Sequence, residues 1–172
     1  MAPPRVTEIA EATVRIAAAD DLPAIVEIYN QGVEEGTATC DLSGFTTEER
    51  RGWFEAHTGR HGIWVAEDDG NILGWVALSP YDRKPCFERT GLLATYVDRE
   101  ARGRNVGTIL RARVIEEARE RGFHSLVARV WIVNEGSIAL ALKFGFEQVG
   151  HMKELVYKDG RYIDCLFFQL VL

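Results

Sequence analysis

Cysteine is scarce in this chain: 172 residues hold Cys40, Cys86 and Cys165, far apart and without Cys-x-x-Cys spacing. That excludes a disulfide framework and a cysteine-based zinc site, and leaves reduced, mostly buried thiols as the default. The opening residues, Met1-Ala2-Pro3-Pro4-Arg5, carry no apolar signal core, and no hydrophobic run approaches the length that spans a bilayer. The expected compartment is the cytoplasm, with no membrane partner. Positive charge is in deficit, 20 Lys and Arg against 26 Asp and Glu, and no basic tract offsets the net −6. A nucleic acid is therefore not the expected partner. His57, His61, His124 and His151 show no metal-ligand spacing, so no metal is expected. The nucleotide-triphosphate loop Gly-x-x-x-x-Gly-Lys-Ser/Thr is missing, and so is Gly-x-Gly-x-x-Gly.

What is present is an ordinary globular balance, 47% hydrophobic and 27% charged, in a chain long enough for one real core. No repeat, linker or low-complexity tract divides it, so residues 1–12 read as a flexible tail and 13–172 as one domain. Val14-Arg15-Ile16 alternates as a short strand. Asp20 or Asp21 can cap a helix with Leu22, Ile25, Val26, Tyr29 and Val33 on one face, closed by Gly36. Thr46 and Glu49 form a capping box before a second helix. Two apolar runs, 63–66 and 72–78, flank Asp68-Asp69-Gly70-Asn71, a hairpin signal. A strand at 92–97, a helix at 105–121, a strand at 124–132 and a helix at 136–144 follow. Strands at 148–157 and 162–171 complete the α/β pattern of helices around one sheet.

The junction between the 92–97 strand and the next helix carries the chemistry. Thr95-Tyr96-Val97 stops at a polar loop, and Arg102-Gly103-Arg104-Asn105-Val106-Gly107-Thr108 leads into the helix. A strand-to-helix turn of this kind aims backbone N–H groups and a helix N-terminus at one point, which favours an anion such as a phosphate. Arg102 and Arg104 add charge of the same sign.

The six residues from Arg102 to Gly107 resemble the Arg/Gln-x-x-Gly-x-Gly/Ala signature with which the GNAT superfamily of N-acetyltransferases holds the pyrophosphate of acetyl-CoA. Asn105 stands where the signature has its first glycine; asparagine tolerates a left-handed backbone better than other side chains. Ile28-Tyr29-Asn30, Thr37-Ala38-Thr39, Trp53-Phe54, Gly74-Trp75-Val76, Asn134-Glu135-Gly136-Ser137-Ile138, Phe144-Gly145-Phe146 and the stretch from Asp159 to Asp164 resemble the phosphinothricin and methionine-sulfoximine branch. The resemblance spans roughly 13–172. It implies a mostly antiparallel central sheet flanked by helices, with strands splayed at an acetyl-CoA cleft. It also implies acetyl-CoA as donor, the amine of a small amino-acid-like molecule as acceptor, and a homodimer.

Position by position, the resemblance assigns the pantetheine arm to Thr95, Tyr96 and Val97 and the pyrophosphate to the amides from Gly103 to Thr108. Asn134 would bond the pantetheine and Lys143 the phosphate end. Phe87 and Leu92 would border the acceptor. Two positions depart from the branch. Leu92 stands where it usually carries a glutamate able to act as general base, and Ala141 where relatives carry a Tyr or His able to protonate the leaving thiolate. Glu88 shares strand parity with Leu92, about 13 Å away, and is the first candidate replacement base; Asp98, Glu34 and Glu35 follow. The expected function is direct attack of a neutral amine on the thioester, polarised by the Val97 N–H. The alternative is an acyl-CoA-binding protein that kept the fold and lost or changed its chemistry.

Overall fold

The computed structural model describes residues 12–172; the expected tail lies almost wholly outside that range. Seven strands form one sheet, β1 (Thr13–Ile16), β2 (Gly62–Asp68), β3 (Asn71–Pro80), β4 (Thr90–Val97), β5 (Ser125–Trp131), β6 (Glu147–Lys158) and β7 (Arg161–Val171). Their spatial order is β1-β2-β3-β4-β5-β7-β6, and only the β4–β5 pair is parallel. Four α-helices cover it: α1 (Leu22–Glu35), α2 (Thr47–Glu55), α3 (Val106–Glu120) and α4 (Glu135–Lys143).

The unbroken apolar runs of β2 and β3 follow from this layering. Ile63, Val65, Trp75 and Ala77 face α1 and α2, while Trp64, Ala66, Val76 and Leu78 face the α3 side. A strand covered on both faces has no solvent face to keep polar. The hairpin turn lies where expected, with Asp69 and Gly70 at φ 48° and 79°, the left-handed pair of a tight antiparallel turn.

Local signals set the helix ends. The Glu49 N–H donates to Thr46 Oγ1 at 3.3 Å and the Thr46 N–H to Glu49 Oε2 at 2.7 Å, the reciprocal box expected at α2. Asp21 behaves differently from a helix cap. Its carboxylate accepts from the Ala18 N–H at 2.7 Å and from Arg15 at 2.7 and 2.9 Å, pinning β1 to a short 3-10 turn ahead of α1. The Arg15 guanidinium holds the Asp21 carboxyl below the usual carboxylate range. The break in β6 near Met152–Val156 was not legible in the periodicity: Glu154 has φ 52° and its N–H donates to Asp164 Oδ1 at 2.8 Å.

Candidate active site

Strands β4 and β5 pair only from Thr90↔Ser125 to Leu93↔Ala128, and then part. The parity of β4 decides what faces the gap. The Asp98 N–H donates to Leu73 O at 2.9 Å and the Tyr81 N–H to Thr90 O at 3.4 Å, so even-numbered β4 residues spend their backbone groups on β3. Thr95 and Val97 therefore turn their N–H and C=O toward the opening. Tyr96 does not; its contribution is a ring, stacked on Trp75 at 4.8 Å and 5.0 Å from Tyr29, with its hydroxyl 3.4 Å from Ala38 O. Burial pushes that phenol above its ordinary pKa.

At the wide end of the gap the loop after β4 forms a cradle. Gly103 and Asn105 both adopt left-handed φ, 77° and 62°, so the turn survives with asparagine at the second position. The Arg104 and Thr108 amides bond back to Ala101 O and Asn105 O at 3.4 and 2.9 Å. That leaves the amides of Gly103, Asn105, Val106 and Gly107 for a guest, a smaller set than the expected run from 103 to 108. A Cβ on Gly107 would meet Leu140 at 3.3 Å and Val97 at 3.7 Å.

A cavity of about 470 Å³ joins this cradle to the gap, walled by Thr95, Val97, Asn105, Gly107, Asn134 and Ser137 among others. Asn134 caps α4, its Oδ1 accepting from the Ser137 N–H at 3.0 Å, and still lines the cavity. The Lys143 ammonium donates to Thr108 Oγ1 at 3.2 Å, which holds a cation beside the helix N-terminus. The loop arginines are less free than their sequence suggests. Arg102 pairs with Glu35 at 3.0 Å and Arg104 with Asp68 at 3.3 Å.

The other expected residues do not gather here. Glu88 lies in the exposed stretch between β3 and β4, at the end of a 3-10 turn, and borders neither the cavity nor the gap. Phe87 packs on Tyr81 at 5.4 Å in the same stretch. Leu92 sits between Ser79 and Val127, on the α1/α2 side of the sheet and outside the cavity. Among the fallback carboxylates, Asp98 accepts from Gln31 at 2.8 Å, and Glu34 and Glu35 pair with Arg99 and Arg102. Ala141 is fully buried and offers no proton donor.

Two residues missed in the sequence matter to the site. Arg111 on α3 is 4% exposed; its Nη2 donates to Thr95 Oγ1 at 3.1 Å, and its Nε and Nη1 have no partner among the described residues. The signal was its spacing, four residues after Gly107 and on the buried stripe with Val114, Ile115 and Ala118. Lys158 reads as a turn residue but is 3% exposed, and its ammonium donates to Val33 O, Thr39 O and Asp41 O at 3.1, 3.3 and 2.7 Å. It fixes the 36–41 loop, whose Thr37 and Ala38 wall the cavity.

His57 is half-buried between α2 and β3. Its Nδ1 is 2.8 Å from the Trp53 carbonyl oxygen, so Nδ1 carries the hydrogen, and Nε2 faces Ser79 Oγ at 2.8 Å. Burial lowers its pKa below the ordinary histidine value, opposed only in part by the Trp53 carbonyl. The unfolded chain takes up this proton below about pH 6.5 and the folded protein resists it. The stability His57 contributes is thus complete above that pH and declines as pH falls. His57→Gln is expected to melt with a shallower drop between pH 7.5 and 5.5 than wild type, by on the order of 2 °C. Parallel drops by calorimetry would contradict it.

Comparison with known proteins places these features in a family. Residues 24–146 match the model of the Acetyltransferase (GNAT) family. The chain is 35% identical over 164 residues to a phosphinothricin N-acetyltransferase of Streptomyces coelicolor, covering 93% of this chain and 96% of that one. It is 36% identical over 162 residues to an L-methionine sulfoximine/L-methionine sulfone acetyltransferase of Pseudomonas paraeruginosa, covering 92% and 94%. Among solved structures, a phosphinothricin acetyltransferase from Sinorhizobium meliloti in complex with acetyl-CoA superposes with TM-score 0.90 at 32% identity, covering 94% of this chain and 88% of that one.

Proposed function

The chain belongs to the acetyltransferase (GNAT) family and is an N-acetyltransferase, and from that premise we propose that it moves the acetyl group of acetyl-CoA to the amine of a small amino-acid-like acceptor of the phosphinothricin or methionine-sulfoximine kind. The observation that carries this reading is the continuity of the phosphate cradle with the gap between β4 and β5. The amides of Gly103, Asn105, Val106 and Gly107, with Lys143 alongside, suit the pyrophosphate. The outward-facing backbone of Thr95 and Val97 suits the pantetheine amides, which would add to β4 as an extra strand does.

In this mechanism the Thr95 N–H, the outward-facing amide deeper in the gap, polarises the thioester carbonyl in place of the expected Val97 N–H, which is left to the pantetheine amides. The neutral amine attacks the carbonyl carbon; the C–N bond forms, the C–S bond breaks, and the amine's proton leaves to water. Of the carboxylates weighed as replacement bases, Glu88 lies outside the cleft and Asp98, Glu34 and Glu35 are held by Gln31, Arg99 and Arg102; Glu135 at the start of α4 lines the cavity. Positioning is the main contribution, since holding two reactants in register can supply about 7–11 kcal/mol. A general base would add about 100- to 10,000-fold. Leu92 and Ala141 favour the second reading, an acyl-CoA-binding protein without transfer.

The two readings separate in an assay of thiol release with mass detection over amino acids and their phosphinic and sulfoximine analogues. Growth of a product about 42 Da above its amine, one acetyl replacing one hydrogen, is the expected result. Bound acetyl-CoA with no product across the panel would leave the binding protein. We place the enzyme in the cytoplasm, a reading supported by three free cysteines; the expectation of mostly buried thiols is corrected, since Cys40 and Cys86 lie at the surface and Cys165 is the buried one. A homodimer is supported by the edge strand β6, where Val149, Met152, Leu155 and Tyr157 are all at least 50% exposed; a monomer mass in sedimentation would end it.

A further inference from the structure

A guanidinium buried to this degree normally meets a carboxylate or fills its donors with carbonyls. Arg111 does neither. Among the described residues it forms no ion pair, one of its nitrogens bonds Thr95, and the other two are sealed from solvent without a partner. Its Cζ lies 5.2 Å from the Phe146 ring centre, and the Phe146 N–H donates to Ala141 O at 3.1 Å.

Where its free nitrogens face follows from the second recess in the gap. This recess, about 60 Å³, is bordered by Leu93, Thr95, Arg111, Ala128, Val130 and Ser137 among others. Ala38, Thr95, Tyr96, Asn134 and Ser137 also line the larger cavity, so the two are one cleft. The cradle is its wide end and Arg111 its deep end. Along α3, Arg111 lies four residues, or about 6 Å, past Gly107. A chain anchored by its phosphates in the cradle and laid along Val97 and then Thr95 brings its far end, the sulfur, toward Arg111. The other charged side chain bordering the recess is Arg129, which is exposed and of the same sign.

We propose that Arg111 is a catalytic residue that stabilises the coenzyme-A thiolate as the leaving group, doing by charge what a proton donor on α4 would do by protonation. This rests on the acetyl-CoA reading above. When the C–S bond breaks, its electron pair stays on sulfur; the guanidinium faces the resulting anion and gives up no proton. Desolvation pulls the Arg111 pKa down to about 10, which still leaves it charged at neutral pH. An opposite charge within about 4–6 Å lowers a thiol's pKa by about 1–3 units, and loss of a single preorganised donor typically costs about 100- to 1,000-fold in turnover.

The test is the thiol of bound coenzyme A, titrated by thiolate absorbance in wild type, Arg111→Met and Arg111→Lys, with binding followed by calorimetry. Methionine keeps the apolar stem as far as Nε and removes a buried unpaired charge, so the Arg111→Met fold should melt no lower than wild type. Its bound thiol is expected to titrate about 1–2 units higher than in wild type, and its kcat to fall about 100-fold or more at nearly unchanged KM. Arg111→Lys should recover part of both. A thiol pKa that Arg111→Met leaves where it was, with coenzyme A still bound, overturns the proposal. A lowered melting temperature with an unmoved thiol would make Arg111 a structural residue. Failure of coenzyme A to bind wild type would bring down the acetyl-CoA reading and this one with it.

Discussion

Gly107→Trp is expected to raise the KM for acetyl-CoA about 100-fold or more. The residue sits in the first turn of α3, where the amides of Val106 and Gly107 have no carbonyl of their own helix to bond. A side chain there is directed at Leu140 and Val97, which leave only 3.3 and 3.7 Å for a single Cβ. An indole must displace them or fill the cradle. Either outcome breaks at least two charge-assisted bonds to the pyrophosphate, each worth about 1.5–3 kcal/mol, and about 3 kcal/mol corresponds to more than a hundredfold in affinity. Gly107→Ala is the control, because one methyl at these distances requires shifts of a few tenths of an ångström; its KM should stay within about fivefold of wild type, a cost on the order of 1 kcal/mol. Initial-rate kinetics over a range of acetyl-CoA decide the matter. Equal KM values for tryptophan and wild type would remove the phosphate role from the loop.

The largest stability effect is expected at Lys158. Its ammonium is buried and satisfies three backbone carbonyls, two of them in the loop between α1 and α2. Lys158→Met leaves those carbonyls without a donor, and each unsatisfied buried group costs about 1–3 kcal/mol. Some will reach water as the loop loosens, so a net loss of about 3–4 kcal/mol, or roughly 10 °C in melting temperature for a chain of this size, is the expected result. The same loop holds Thr39 and Asp41, which accept from or share hydrogen with the Tyr29 hydroxyl, and Ala38, whose carbonyl lies against Tyr96. The destabilised protein should therefore also bind acetyl-CoA more weakly at temperatures where it remains folded. A melting temperature within 2 °C of wild type on calorimetry, well short of that loss, would show that the loop is held by its other contacts, among them Arg50 stacked 4.3 Å over Tyr29.

Most of the architecture was legible in local pattern. The capping box at Thr46, the Asp69-Gly70 turn and the apolar stripe of α1 are short-range signals whose physics acts within a few residues. The cradle was legible for the same reason, since a strand, a loop with left-handed positions and a helix N-terminus are contiguous in the chain. The order of elements and the distributed motifs were enough to point to the GNAT superfamily.

The remainder depended on contacts between distant parts of the chain. Strand parity against β3, fixed by pairing and not by composition, turned Thr95 and Val97 toward the gap and Tyr96 away from it. Glu88 shares alternation with Leu92, but its segment leaves the sheet in a turn before β4 begins, so parity gave it no place in the cleft. Arg102, Arg104, Glu34 and Glu35 looked like free charges, and tertiary packing paired Arg102 with Glu35, Arg104 with Asp68 and Glu34 with Arg99. Arg111 and Lys158 are the reverse: charged residues, a type that is seldom fully buried, that folding encloses. Burial and pairing of a charge depend on which surfaces close over it, and that is decided by elements 16 to 125 residues away in the chain. The sequence by itself thus determined the elements, the family resemblance and the phosphate loop. The tertiary structure alone decided which charges the cleft keeps unneutralised.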